Sequence, residues 1–89
     1  MNTKKRLTIR VARGKCGLDV FLDTGNENHY ITTRRSNYLL WERLKSGINL
    51  NELKREKPRS SSRGEQKYYE STRYLLRVID GFIKYELAA

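Results

Sequence analysis

Two short segments flanking a glycine-bounded break constrain the fold most. Arg6 to Ala12 alternates polar and apolar residues with Leu7, Ile9 and Val11 on one side, and Gly17 to Asp23 repeats the pattern with Leu18, Val20 and Leu22. A period of two sends one set of side chains into a core and the other to the opposite face, so both segments read as half-buried β-strands. A two-residue turn at Gly14-Lys15, with Gly first as a type II′ turn prefers, sets Val11 opposite Leu18, Ile9 opposite Val20 and Leu7 opposite Leu22. That register also brings Arg10 to Asp19 and Arg6 to Asp23 on the outer face, the opposite-charge pairing a sheet favours.

A second two-residue turn at Gly25-Asn26 pairs Val20 with Ile31 and Phe21 with Tyr30 and extends the sheet through His29 to Thr33. Both hairpins then agree on the core face. The outer face carries Thr8, Arg10, Asp19, Phe21, Asp23, Tyr30, Thr32 and Arg34.

Beyond the meander the period changes. Ser36 is placed to cap a short helix from Asn37 to Ser46 that turns Leu40, Trp41 and Leu44 inward, with Gly47 as its left-handed stop. Asn49 followed by Glu52 has the spacing of a capping box for a further short helix bearing Leu50 and Leu53. Lys54 to Arg63 reads KREKPRSSSR, a mobile basic linker broken by Pro58. Ser62 and Glu65 form a second capping box, opening a long helix to about Leu87. Tyr68, Thr72, Leu75, Ile79, Phe82 and Glu86 follow three-four spacing, and the stripe, widened by Leu76, Val78, Ile83 and Tyr85, requires a partner. The sheet is the obvious one, and any surplus points to a dimer seam. Gly81 inside this helix calls for close packing or a kink.

The expected fold is therefore α+β in the order β-β-β-α-α-α: a three-stranded antiparallel meander followed by two short helices and one long C-terminal helix. A chain of 89 residues is too short for two independent cores. It divides into sheet (1–35), short helices (36–56), linker (57–64) and long helix (65–87), all in one small domain.

Charge is distributed unevenly over this plan. Residues 1–35 carry eight Lys/Arg against three acids, 36–64 carry seven against three, and 65–89 carry four against four, giving a net charge of +9 concentrated before the last helix. The pattern suits a polyanion-facing surface mounted on its own packing element. The candidate nucleic-acid contacts are Lys4, Lys5, Arg13 and Lys15 at the N-terminus and first hairpin tip, Arg34 and Arg35 after the third strand, and Lys54, Arg55, Lys57, Arg59 and Arg63 around the linker. Such cations engage phosphates through counterion release. Phe21 and Tyr30, adjacent on the outer face, would add a platform for stacked bases if that face is open.

Other chemistries find little support. One Cys and one His do not make a four-ligand metal site, and no cofactor motif is present. Gly14-Lys15-Cys16 lacks the earlier glycine and the Ser/Thr of a phosphate loop. His29 has no orienting acid or nucleophile apparent in the sequence, so no catalytic residue is nominated. Leu40 to Leu53 outlines two helices about a glycine turn, but the second is too short before Pro58 to lie in a major groove. Cys16 is expected as a half-buried or buried thiol, and a lone thiol fits a reducing cytoplasm. The alternation after Lys4-Lys5-Arg6 is unlike a signal peptide's apolar region, and no run approaches the roughly 20 apolar residues of a membrane span. The sequence thus suggests a cytoplasmic, non-enzymatic DNA- or RNA-binding module. The alternative is a protein-interaction module, forming a homodimer through the last helix or meeting an acidic protein partner.

Overall fold

The computed structural model describes residues 6–87, an α+β arrangement of a four-stranded antiparallel sheet backed by helices. Strands β1 (Thr8–Gly14), β2 (Gly17–Asp23) and β3 (Asn28–Arg34) form the meander. Helix α1 (Tyr38–Leu44) follows, then a two-residue strand β4 (Ile48–Asn49), helix α2 (Leu50–Arg55) and the long helix α3 (Arg63–Phe82), which widens into a π-helical turn at Ile83–Leu87. The sheet order is β3-β2-β1-β4.

The expected faces of β1 and β2 are right, but the register of the first hairpin moves by two residues. Ile9 pairs with Leu22 and Val11 with Val20, and the turn residues are Lys15 and Cys16 rather than Gly14 and Lys15. A shift of two preserves the parity of the pleat, so the same apolar residues still reach the core. The expected turn needed Gly14 at positive φ. Instead Gly17, at φ +141°, supplies the unusual backbone just after the turn, and a Cβ there would fall 2.3 Å from the carbonyl oxygen of Arg34.

In the second hairpin Phe21 pairs with Tyr30 as expected, but Val20 faces Thr32, not Ile31. A β-bulge at this point inserts one extra residue into β3 and reverses the alternation after Tyr30. Thr32 and Arg34, expected outside, therefore take positions opposite the inward Val20 and Leu18, and Thr33 moves outside. The loop itself is longer than two residues, with Thr24 and Glu27 bonded across it (Thr24 N to Glu27 O, 2.9 Å).

All helices lie on the Ile9, Val11, Leu18, Val20 and Leu22 face. These residues form one core with Leu40 and Leu44 of α1, Leu50 and Leu53 of α2, and Tyr68, Leu75, Leu76 and Ile79 of α3. Thus α1, α2 and the sheet together cover most of the α3 stripe, while Phe82, Ile83 and Leu87 pack at the core margin and Tyr85 stays exposed. Gly81 has open space where a Cβ would be, so close packing does not explain it; the helix loosens into its π turn two residues later.

Helix starts are displaced slightly from expectation. Asn37, not Ser36, caps α1, its Oδ1 accepting from Leu40 N at 3.0 Å. Ser62 caps α3 by accepting from Glu65 N at 3.3 Å, but the reciprocal half of the capping box is missing because the Glu65 carboxylate is drawn to Arg43. The connection from α2 to α3, expected as a mobile linker, makes hydrogen bonds to α3 near its start. Arg59 N donates to Glu65 Oε1 at 3.1 Å, and the buried Tyr68 hydroxyl donates to Glu56.

Candidate nucleic-acid interface

The cations after β3 and at the first hairpin tip meet at one end of the sheet. Arg13 pairs with Leu18 across the β1–β2 hairpin and Leu18 pairs with Arg34 across the next, so the two arginines share a cross-strand row. Two strand spacings put their backbones about 10 Å apart. Each guanidinium rests on a helix aromatic: Arg13 lies 4.4 Å from the centroid of Trp41 in α1, and Arg34 lies 4.1 Å from that of Tyr74 in α3. Lys15 is exposed in the adjoining turn and Arg35 is exposed directly after β3. Among the described residues, none of these four cations has a carboxylate within 4.0 Å.

The reason lies in where the acids go. Asp23 pairs with Arg10 (Nε to Oδ2, 2.9 Å), Glu65 with Arg43, Glu42 with Lys45 and Asp80 with Lys54. The expected Arg10–Asp19 and Arg6–Asp23 pairs do not form, because the two-residue register shift puts Arg10 beside Phe21 and Thr8 beside Asp23. Asp23 is held below its ordinary pKa, first by the Gly25 N–H it accepts and then by Arg10. Asp19 instead accepts from Thr33 Oγ1 at 2.7 Å, and Thr33 shares a 2.6 Å hydrogen bond with the Tyr30 hydroxyl.

The linker group is less uniform. Lys54 is engaged by Asp80 at 3.5 Å, and Arg59 lies 4.0 Å from Glu56. Lys57 and Arg63 are exposed. Arg55 joins Arg6, Thr8, Asn49 and Asn51 around a shallow concavity of about 510 Å³ at the β1–β4 edge. Lys4 and Lys5 lie outside the described residues.

The outer sheet face is open. Tyr30 is 55 % exposed and Phe21 half-buried, with ring centroids 5.9 Å apart at 73°. This edge-to-face pair satisfies both rings against each other and turns them out of parallel, unlike two coplanar stacking surfaces. Cys16, expected to be at least half-buried, is exposed at the hairpin tip. His29 packs on Phe82 with centroids 5.2 Å apart, and its Nε2 lies 3.1 Å from Glu27 Oε1 without the alignment of a hydrogen bond. Glu27, two residues away, is thus the acidic neighbour that the sequence left unassigned.

A second concavity, of about 320 Å³, is lined by Arg34 and Arg35 together with Lys67, Glu70 and Ser71 of α3. These helix residues were not among the sequence candidates. Their signal is the spacing of Lys67, Ser71 and Tyr74, three and four apart on one helix face. No protein-family model, no curated protein and no solved structure matches this chain. Among the described residues, no helix is long and apolar enough to cross a membrane.

Proposed function

We propose that this protein is a small, basic, non-enzymatic module of the cytoplasm that binds nucleic acid mainly through phosphate contacts, with low sequence specificity. The observation that carries it is the convergence of Arg13, Lys15, Arg34 and Arg35 at one end of the sheet without carboxylate partners among the described residues. Two of these cations already rest on aromatic rings, which lowers the ordering cost of binding. Phosphate contacts fix position but carry no sequence information, hence the low specificity. The edge-to-face Phe21–Tyr30 pair supports a minor role for base stacking.

The test is a titration of fluorescent duplex and single-stranded DNA and RNA. Four phosphate contacts imply a duplex affinity that falls about a hundredfold between about 50 and 200 mM salt. Absence of binding tighter than about 0.1 mM at low salt overturns the proposal. The competing interaction module, a homodimer through the exposed Tyr85 region of the C-terminal helix, would show instead as a dimer in sedimentation that persists at high salt.

A further inference from the structure

The notch between the β3–α1 connection and α3 is distinct from the first hairpin tip, whose Arg13 and Lys15 do not line it. We infer that it is a seat for a phosphomonoester dianion: the terminal phosphate of a nucleic-acid strand, or a free phosphorylated small molecule. The strand-end form of this inference rests on the nucleic-acid proposal above.

Three cations, Arg34, Arg35 and Lys67, line a concavity of about 320 Å³ against one carboxylate, Glu70. None of the three has an acidic partner within 4.0 Å among the described residues. The Tyr74 ring covers one face of the Arg34 guanidinium and fixes its plane. Arg34 Nε is buried and has no hydrogen-bond acceptor in the protein, so the two terminal nitrogens of the fork are the ones that remain for a ligand. The outer edge of this planar fork, held by an aromatic face beside the notch, suits bidentate recognition of a phosphate. The hydroxyls of Ser36 and Ser71 line the same space and are of a type that donates to phosphate oxygens.

Charge decides between the two kinds of phosphate. A monoester carries about −1.5 to −2 at pH 7, whereas an internal diester of a strand carries a single negative charge. Three cations offset by one carboxylate match the former better. The concave shape acts the same way, because a chain end enters a notch more easily than a continuous backbone crosses it.

The test has two arms. In the first, inorganic phosphate is titrated into the whole protein at fixed ionic strength while the arginine Nε–H resonances are followed by NMR, with chloride as the control. In the second, short single strands ending in a 5′-phosphate, a 3′-phosphate or hydroxyls alone are compared for affinity. The Arg34 Nε–H signal should move with phosphate and not with chloride. A phosphate-ended strand should bind about tenfold tighter than its hydroxyl-ended counterpart, the worth of one charge-assisted hydrogen bond. Lys67→Ala should abolish that preference and Glu70→Gln should enlarge it. Arg77→Ala, exposed further along α3, should leave it unchanged.

If phosphate moves Arg34 but no strand binds, the notch stands as a site for a free phosphomonoester and the nucleic-acid proposal falls. If strands bind with steep salt dependence while all ends bind alike and Arg34 does not respond, the notch inference is overturned and the nucleic-acid proposal survives. No response in either arm overturns both.

Discussion

Arg43 of α1 and Glu65 of α3, 22 residues apart, meet as a two-point ion pair through the two terminal guanidinium nitrogens, with Nη1 3.1 Å from Oε1. The same carboxylate accepts Arg59 N, and the Arg43 guanidinium lies 4.6 Å from the Tyr68 ring centroid. One acidic residue therefore fastens the first turn of α3 to both α1 and the preceding connection. The bond from Arg43 holds Glu65 below its ordinary pKa, with Arg59 N as the next contributor.

A carboxylate with a lowered pKa in the folded state stabilises the fold fully above its unfolded value, and this contribution is lost as pH falls through the folded value. Stability should therefore decline as pH drops below about 4.5, the ordinary value for Glu. Glu65→Gln should lower the urea midpoint at pH 7 and show a smaller further loss on acidification than the parent. Parallel pH curves for the two proteins would refute this role for Glu65.

At the alkaline end the sign reverses. Burial, and then the hydrogen bond donated to Glu56, raise the Tyr68 phenol well above its ordinary value of 10.0. Its contribution is complete below pH 10 and diminishes above it, as the unfolded chain ionises first. Tyr68→Phe should cost about 1.5–3 kcal/mol at neutral pH, the worth of a hydrogen bond to a charged group, and should flatten the alkaline decline. Denaturant titrations at pH 7 and pH 11 measure both effects.

Two glycines separate backbone strain from collision. Gly25, at φ +96°, has nothing within 4 Å of the place an alanine methyl would take, so Gly25→Ala should cost only the left-handed penalty of about 1–2 kcal/mol. Gly17→Ala adds a clash of its Cβ with the Arg34 carbonyl at 2.3 Å and should cost clearly more. Equal urea midpoints for the two variants would contradict the close β2–β3 approach at Gly17.

The strand faces were legible because they depend only on parity: Ile9, Val11, Val20 and Leu22 are buried under either register. The register itself turned on which two residues form the tip, a local choice between neighbouring glycines that alternation does not decide. The bulge before Thr32 left no mark in the sequence, since one inserted residue does not alter the local alternation that is read there, and it exchanged the faces of Thr32, Thr33 and Arg34. Strand β4 is two residues long, too short to show a period. In the candidate interface, Arg34-Arg35 stood out as a charge doublet, whereas Lys67 joins them only through tertiary packing of α3. Glu65 matched a capping box, but the competing guanidinium of Arg43 lies 22 residues away in the chain.

Cations without a carboxylate partner and cations already paired should contribute differently to phosphate binding. Arg13 and Arg34 are poor probes, because removing either also strips the cover from Trp41 or Tyr74. Lys15 and Arg35 are exposed, so Lys15→Ala and Arg35→Ala should leave the unfolding free energy within about 0.5 kcal/mol of the parent. Each should reduce the slope of log affinity against log salt by about 0.9 on duplex DNA, uniformly across sequences. Arg10→Ala removes a cation already partnered by Asp23 and should leave that slope nearly unchanged. Equal slopes for Lys15→Ala, Arg35→Ala and the parent, with binding intact, would place the phosphate contacts elsewhere on the molecule.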